Sequence, residues 1–160
     1  MKKIILVGYG NPDRGDDGVA WHLLQAVLNH FGCVSDDLFS SDIVSACQNV
    51  DIWFNLQLLP EMADTIADYD QAIFIDAHTG EIEEGVCFLP LQPAFQNSPF
   101  THHFTPASCL ALAESLKGHY PASWMLSVRG YQFAFNRDLS LETQKLLTQA
   151  FQILRQEFLE

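Results

Sequence analysis

The chain has 160 residues and a mass of 18.0 kDa, with 48% of its residues hydrophobic and 18% charged. That composition belongs to a globular chain able to bury a core without disulfides or a structural metal, and it excludes disorder. A formal charge of −12 repels nucleic-acid phosphates and anionic headgroups while concentrating cations, so no nucleic acid and no membrane is expected as a partner.

Lys2 and Lys3 precede an apolar run at 4–7 that is too short for a signal-peptide core or a membrane span, and it reads as a buried strand. Beyond the glycine turn, Val19, Leu23, Val27 and Phe31 fall at helical spacing and line one face. Aliphatic, β-branched and aromatic runs predict further strands at 50–56, 72–75, 85–89 and 124–128. Pro60 opens a short helix through Ala67, and Cys109, Leu112, Ala113 and Leu116 mark another after Pro106. Ser140 is the expected N-cap of a last helix carrying Leu147, Phe151, Leu154 and Phe158 on one stripe.

This alternation predicts an α/β fold in three layers, α/β/α: a twisted, mainly parallel sheet flanked by helices on both faces. Functional groups in such a sheet collect at the carboxyl ends of the strands. No repeat, low-complexity tract or linker divides residues 1–160, so one domain is expected. From Pro90 to Pro106 the chain holds four prolines with little periodicity, which predicts a long irregular loop of the kind that carries function. Cys33, Cys47, Cys87 and Cys109 form no Cys-x-x-Cys pair; they read as small core residues in a reduced, cytoplasmic protein.

The first loop, Gly8-Tyr9-Gly10-Asn11-Pro12-Asp13-Arg14-Gly15-Asp16-Asp17-Gly18, stands where a nucleotide-binding fold has its phosphate loop. The third glycine of that fingerprint falls at Asp13, and Asp13, Asp16 and Asp17 are opposed locally by Arg14 alone. Three carboxylates repel a pyrophosphate and attract a divalent cation, so no nucleotide is expected. Asp16 is expected to cap the helix that follows. Asp17, between Gly15 and Gly18, is expected to be functional, with the glycines keeping the backbone open to an approaching group.

Asp76 ends the predicted strand at 72–75 and so lies at the sheet's carboxyl edge. His102 and His103 lie in the Pro-rich loop, and adjacent residues of an extended segment point opposite ways, so one of the two faces the site. Two carboxylates and an imidazole suit nickel, zinc or iron and leave positions open for substrate or water.

The run from Gly8-Tyr9-Gly10-Asn11 to Asp16-Asp17-Gly18-Val19-Ala20 resembles the N-terminal signature of the [NiFe]-hydrogenase maturation endopeptidases. Gln57-Leu58-Leu59-Pro60-Glu61, Ile73-Phe74-Ile75-Asp76-Ala77, His103-Phe104-Thr105-Pro106 and Gly130-Tyr131-Gln132-Phe133 resemble later segments of that family in the same order. The resemblance implies a cytoplasmic hydrolase that removes the C-terminal extension of a [NiFe]-hydrogenase large-subunit precursor after nickel insertion. Carried over by motif, the catalytic and nickel-contacting roles fall on Asp17, Asp76 and His103, with His102 as competitor and the Ni2+ delivered by the substrate. Some members have glutamate at the position of Asp17, many have glycine at that of Ala20, and in others the histidine lies inside the following helix, which here reads Ala107-Ser108-Cys109. Asn11, Asp16 and Gln57 form a second tier, available to hold the loop, bind substrate backbone or satisfy local hydrogen bonds. The competing reading is a non-catalytic binding or chaperone module acting on the same precursor, and the oligomeric state is left unassigned.

Overall fold

The computed structural model describes residues 1–33, 37–95 and 104–160. Six strands, β1 (Ile4–Tyr9), β2 (Ile43–Cys47), β3 (Val50–Asn55), β4 (Gln71–His78), β5 (Val86–Leu91) and β6 (Ala122–Arg129), form one sheet in the order β2-β3-β1-β4-β6-β5. The four inner strands run parallel, and β2 and β5 are antiparallel edges. Ile5, Leu6 and Val7 of β1 and Ile73, Phe74 and Ile75 of β4 are fully buried, as continuous apolar runs must be when helices cover both faces of a parallel sheet.

The pleat sorts these side chains into two cores. Leu6, Ile73, Ile75 and Leu126 pack under α1 (Val19–His30) and α4 (Leu141–Leu154), and Ile5, Val7, Ala72 and Phe74 pack under α2 (Met62–Ile66) and α3 (Pro106–Lys117). Two apolar rows of α1, Val19-Leu23-Val27 and Ala20-Leu24-Leu28, are wholly buried. Each such aliphatic side chain contributes roughly 1.5–3 kcal/mol by leaving water. The expected three-layer, mainly parallel α/β/α fold is the one observed.

The helix ends follow from local chemistry. Ser140 Oγ accepts the Thr143 N–H at 3.2 Å, as its predicted role as N-cap requires, and Thr105 Oγ1 accepts the Ser108 N–H at 3.1 Å beside Pro106. The C-terminal helix closes with a π-helical turn, Arg155–Leu159, whose Phe158 packs edge-on against Trp124 with ring centroids 5.1 Å apart. Among the described residues no helix is long and apolar enough to cross a membrane.

Three sequence expectations are corrected. The short strand β2 was not predicted; it is an edge strand with only Ala46 buried, so it carries no apolar run. The strand predicted at 85–89 continues through Pro90 to Leu91, which an edge position allows because the missing N–H is not needed for a ladder bond. The strand predicted at 72–75 continues to His78, so Asp76 lies within β4 near its carboxyl end and does not terminate it. Residues 96–103 of the Pro-rich segment, including His102 and His103, lie outside the described residues.

Candidate active site

On β1 and β4 the pleat directs Tyr9 and Asp76 to the face of Val7 and Phe74, the one covered by α2 and α3. At the carboxyl ends of β1, β3 and β4 this face opens into a cavity of about 490 Å3. Tyr9, Asn11, Asp17, Gln57 and Asp76 line it, together with Phe104, Thr105 and Pro106 at the start of α3. Asp17 arrives from a 3-10 turn, Gly15–Gly18, between β1 and α1.

The three acids of this loop separate. Asp13 pairs with Arg137 at 2.7 Å on the surface, a cation that local sequence did not reveal. Asp17 turns into the cavity, where its Oδ2 accepts the Asn11 N–H at 2.8 Å. Asn11 itself is held in a tight turn by its Oδ1, which accepts the Asp13 N–H at 2.9 Å.

Asp16 points the other way and is fully buried. Its Oδ2 accepts the N–H groups of Tyr131 and Gln132 and the Ser140 hydroxyl at 2.8, 2.9 and 2.7 Å, and its Oδ1 accepts the Ser140 N–H at 2.7 Å. It is therefore not the helix cap that the sequence suggested: neither the 3-10 turn nor α1 has a side-chain cap bond. The carboxylate instead anchors the loop between β6 and α4 and braces Ser140, the α4 cap. Burial pushes the Asp16 carboxyl up, but the donors from Tyr131, Ser140 and Gln132 outweigh burial and hold it below the usual range.

The flanking glycines also have a different reason from the one expected. A Cβ on Gly15, whose φ is +58°, would stand 2.5 Å from the Gln132 carbonyl oxygen, and one on Gly18 would stand 2.5 Å from Pro12 Cα. The approaching group is the protein's own chain.

Asp76 lacks the donors that Asp16 has. Burial pushes its carboxyl up to about 7, the neighbouring Ala77 N–H at 2.7 Å draws it down, and the charge of Asp17 raises it further. Two carboxylates converge on one cavity, and the charge of Asp17 destabilises the ionised form of Asp76. Among the described residues no group of three or more His, Cys, Asp or Glu side chains is placed to hold a metal.

Two neighbours were not singled out from sequence. His78, two residues beyond Asp76 on β4, is 7% exposed; its Nδ1 accepts the Gly80 N–H at 3.2 Å, and its Nε2 is buried without a partner among the described residues. With Nδ1 accepting, Nε2 is left as the donor position of the ring. Tyr9, at the end of β1, was visible only as part of a motif, although the alternation Ile5-Val7-Tyr9 already assigns it a face. All four cysteines are free, and burial pushes the Cys109 thiol up to about 12, so it supplies no thiolate nucleophile.

No family model and no curated protein matches the sequence. Solved structures do match. The hydrogenase maturating endopeptidase HybD from E. coli superposes with a TM-score of 0.66 at 17% identity, over 98% of this chain and 94% of that one. This is the fold of the hydrogenase maturation endopeptidases. The [NiFe] hydrogenase maturation protease HycI from Thermococcus kodakarensis KOD1 gives 0.63 at 18% identity, over 97% and 91%. A hydrogenase 2 maturation peptidase from a Thaumarchaeota archaeon gives 0.61 at 19%, over 99% and 100%. The likeness is one of fold across nearly the whole chain.

Proposed function

We propose that this chain is a cytoplasmic endopeptidase of hydrogenase maturation, which removes the C-terminal extension of a [NiFe]-hydrogenase large-subunit precursor once nickel is in place. The observation that carries the proposal is the convergence of Asp17 and Asp76 on one cavity at the carboxyl edge of a sheet with this fold. Nickel belongs to the substrate in this reading. Asp17, Asp76 and His103, with His102 as the competing imidazole, ligate it and so read whether the precursor is loaded. Oxygen and nitrogen donors of this kind suit a borderline divalent ion, and a cation between the two carboxylates removes their mutual repulsion. His103 directly precedes Phe104, Thr105 and Pro106, which line the cavity.

With the metal as anchor, the precursor tail lies along the cavity and a water attacks the scissile carbonyl, a carboxylate oxygen taking the proton. Gln57 is exposed at the cavity and free to hydrogen-bond substrate backbone. The test has two parts. Crystals soaked in a nickel or cadmium salt are expected to show an anomalous peak between Asp17, Asp76 and one of the two histidines. The protein is expected to cleave nickel-loaded precursor and to leave nickel-free precursor intact. Precursor binding with no cleavage in either state favours the binding module instead.

A further inference from the structure

We propose that Tyr9 is the oxyanion donor of this site: its hydroxyl hydrogen-bonds to the carbonyl oxygen of the scissile peptide as that oxygen becomes negative. The inference rests on the endopeptidase reading above and adds a catalytic residue to it.

A peptidase must stabilise a tetrahedral oxyanion, and in this cavity most donors are already committed. The Asn11 N–H is bound to Asp17, the Gly10 N–H to the carbonyls of Asn55 and Leu56, and Thr105 Oγ1 to Ser108. Among the described residues neither lysine nor arginine lines the cavity. Tyr9 differs from these groups. It lines the cavity with Asp17 and Asp76, it is held at the end of a central strand against the core cluster that contains Val7, Phe74 and Leu110, and its hydroxyl has no hydrogen-bond partner among the described residues.

A tyrosine phenol keeps its proton at neutral pH and can donate it in a hydrogen bond. A hydroxyl that keeps its proton in a low-dielectric pocket, on a side chain already fixed by packing, donates to a developing oxyanion without reorganisation. Gln57, the exposed alternative, must first be ordered.

The step balances as a hydrolysis. The water oxygen bonds to the carbonyl carbon, and the π pair moves onto the carbonyl oxygen, which accepts the Tyr9 O–H bond without taking its proton. The water's proton passes to a carboxylate oxygen of the Asp17–Asp76 pair. On collapse the C–N bond breaks and that proton passes to the leaving amine.

The experiment compares wild-type protein with Tyr9→Phe on nickel-loaded precursor, measuring kcat, KM and melting temperature. Because the hydroxyl has no partner to lose among the described residues, the phenylalanine variant is expected to melt within about 2 °C of wild type. The expected result is a fall in kcat of about 10²-fold with KM changed less than about twofold, the pattern of an interaction made only in the transition state. A kcat within about threefold of wild type overturns the assignment. So does a rise in KM at unchanged kcat, which marks a substrate-binding residue. Absence of cleavage by the wild-type protein overturns the parent reading and this one with it.

Discussion

Asp16 and Asp76 are both withdrawn from water at the carboxyl edge of one sheet, yet they are held in opposite electrostatic states. Asp16 meets four donors from the loop before α4, and its carboxyl lies below the ordinary range; Asp76 meets one N–H and a second carboxylate, and its carboxyl is pushed up to about 7. Burial acts in the same direction on both. The difference lies in what the protein supplies to offset it: a completed hydrogen-bond shell makes a buried carboxylate structural and keeps it ionised, and an incomplete one leaves its charge uncompensated. The adjacent pair Asp16-Asp17 divides the same way, with one acid committed to the protein and its neighbour to the cavity.

The largest expected effect is on activity. On the function proposed above, in which Asp76 ligates the substrate's nickel, Asp76→Asn should lower cleavage of nickel-loaded precursor by about 10³-fold or more, a loss of several kcal/mol in the reacting complex. The same variant should be more stable than wild type at pH 8, by on the order of 2 kcal/mol, since it removes a buried and unpaired charge. A thermal melt at pH 8 decides it: a lower melting temperature for Asp76→Asn means that the carboxylate is satisfied in some other way and the contrast fails.

Asp16→Ala should do the reverse, costing roughly 3–5 kcal/mol in urea unfolding, because the donors of Tyr131, Gln132 and Ser140 are left buried without a partner. Asp16→Asn should recover little of this. Oδ2 alone accepts three donors, and an amide nitrogen placed at either oxygen position presents hydrogens to donors. A loss below about 1 kcal/mol for Asp16→Ala is the result that removes its structural role.

The sequence allowed half of this contrast to be read. Ser140 was legible as a cap because capping is local: a hydroxyl at the right offset from an apolar stripe is a complete signal. Asp76 was legible because an apolar run leading into an acid marks a strand's carboxyl end in an α/β sheet. Asp16 was misread as a cap because its partners lie more than a hundred residues away, in a loop without regular structure, and no local pattern announces them. The glycines around Asp17 were read as keeping the backbone open to an approaching group, but the space beside them is filled by Gln132 and Pro12, neighbours set by tertiary packing. β2 was invisible for the opposite reason: an edge strand with one buried side chain needs no apolar alternation to be stable once β3 offers it a ladder.

Titration separates the two acids by smaller amounts and in different pH windows. Between about pH 4 and 7 the folded protein retains a proton on Asp76 that the unfolded chain has released, so this residue's contribution makes stability fall as pH rises through that window. Asp16 ionises more readily folded than unfolded; its contribution is present above the ordinary carboxylate range and is lost as pH falls through its lowered value. Subtracting the Asp76→Asn stability profile from that of wild type should therefore give a difference that grows against wild type from pH 4 to pH 7 and then levels off. A flat difference over that range would remove the raised carboxyl from the account.

Asp13 supplies the smallest effect and tests whether the loop between β6 and α4 is held from inside or outside. Its ion pair with Arg137 has side chains 46% and 68% exposed, a setting in which water and salt screen most of the attraction. The backbone bonds beside it, from the Gly15 N–H to the Asn136 carbonyl at 2.6 Å and from the Asn136 N–H to the Asp13 carbonyl at 2.9 Å, do not depend on the side chain. Asp13→Asn should then cost about 0.5 kcal/mol or less in low salt and nothing measurable in 0.5 M salt, roughly a tenth of the Asp16→Ala loss. A cost above about 1.5 kcal/mol that persists in salt would move the anchor of this loop from the buried carboxylate to the surface pair.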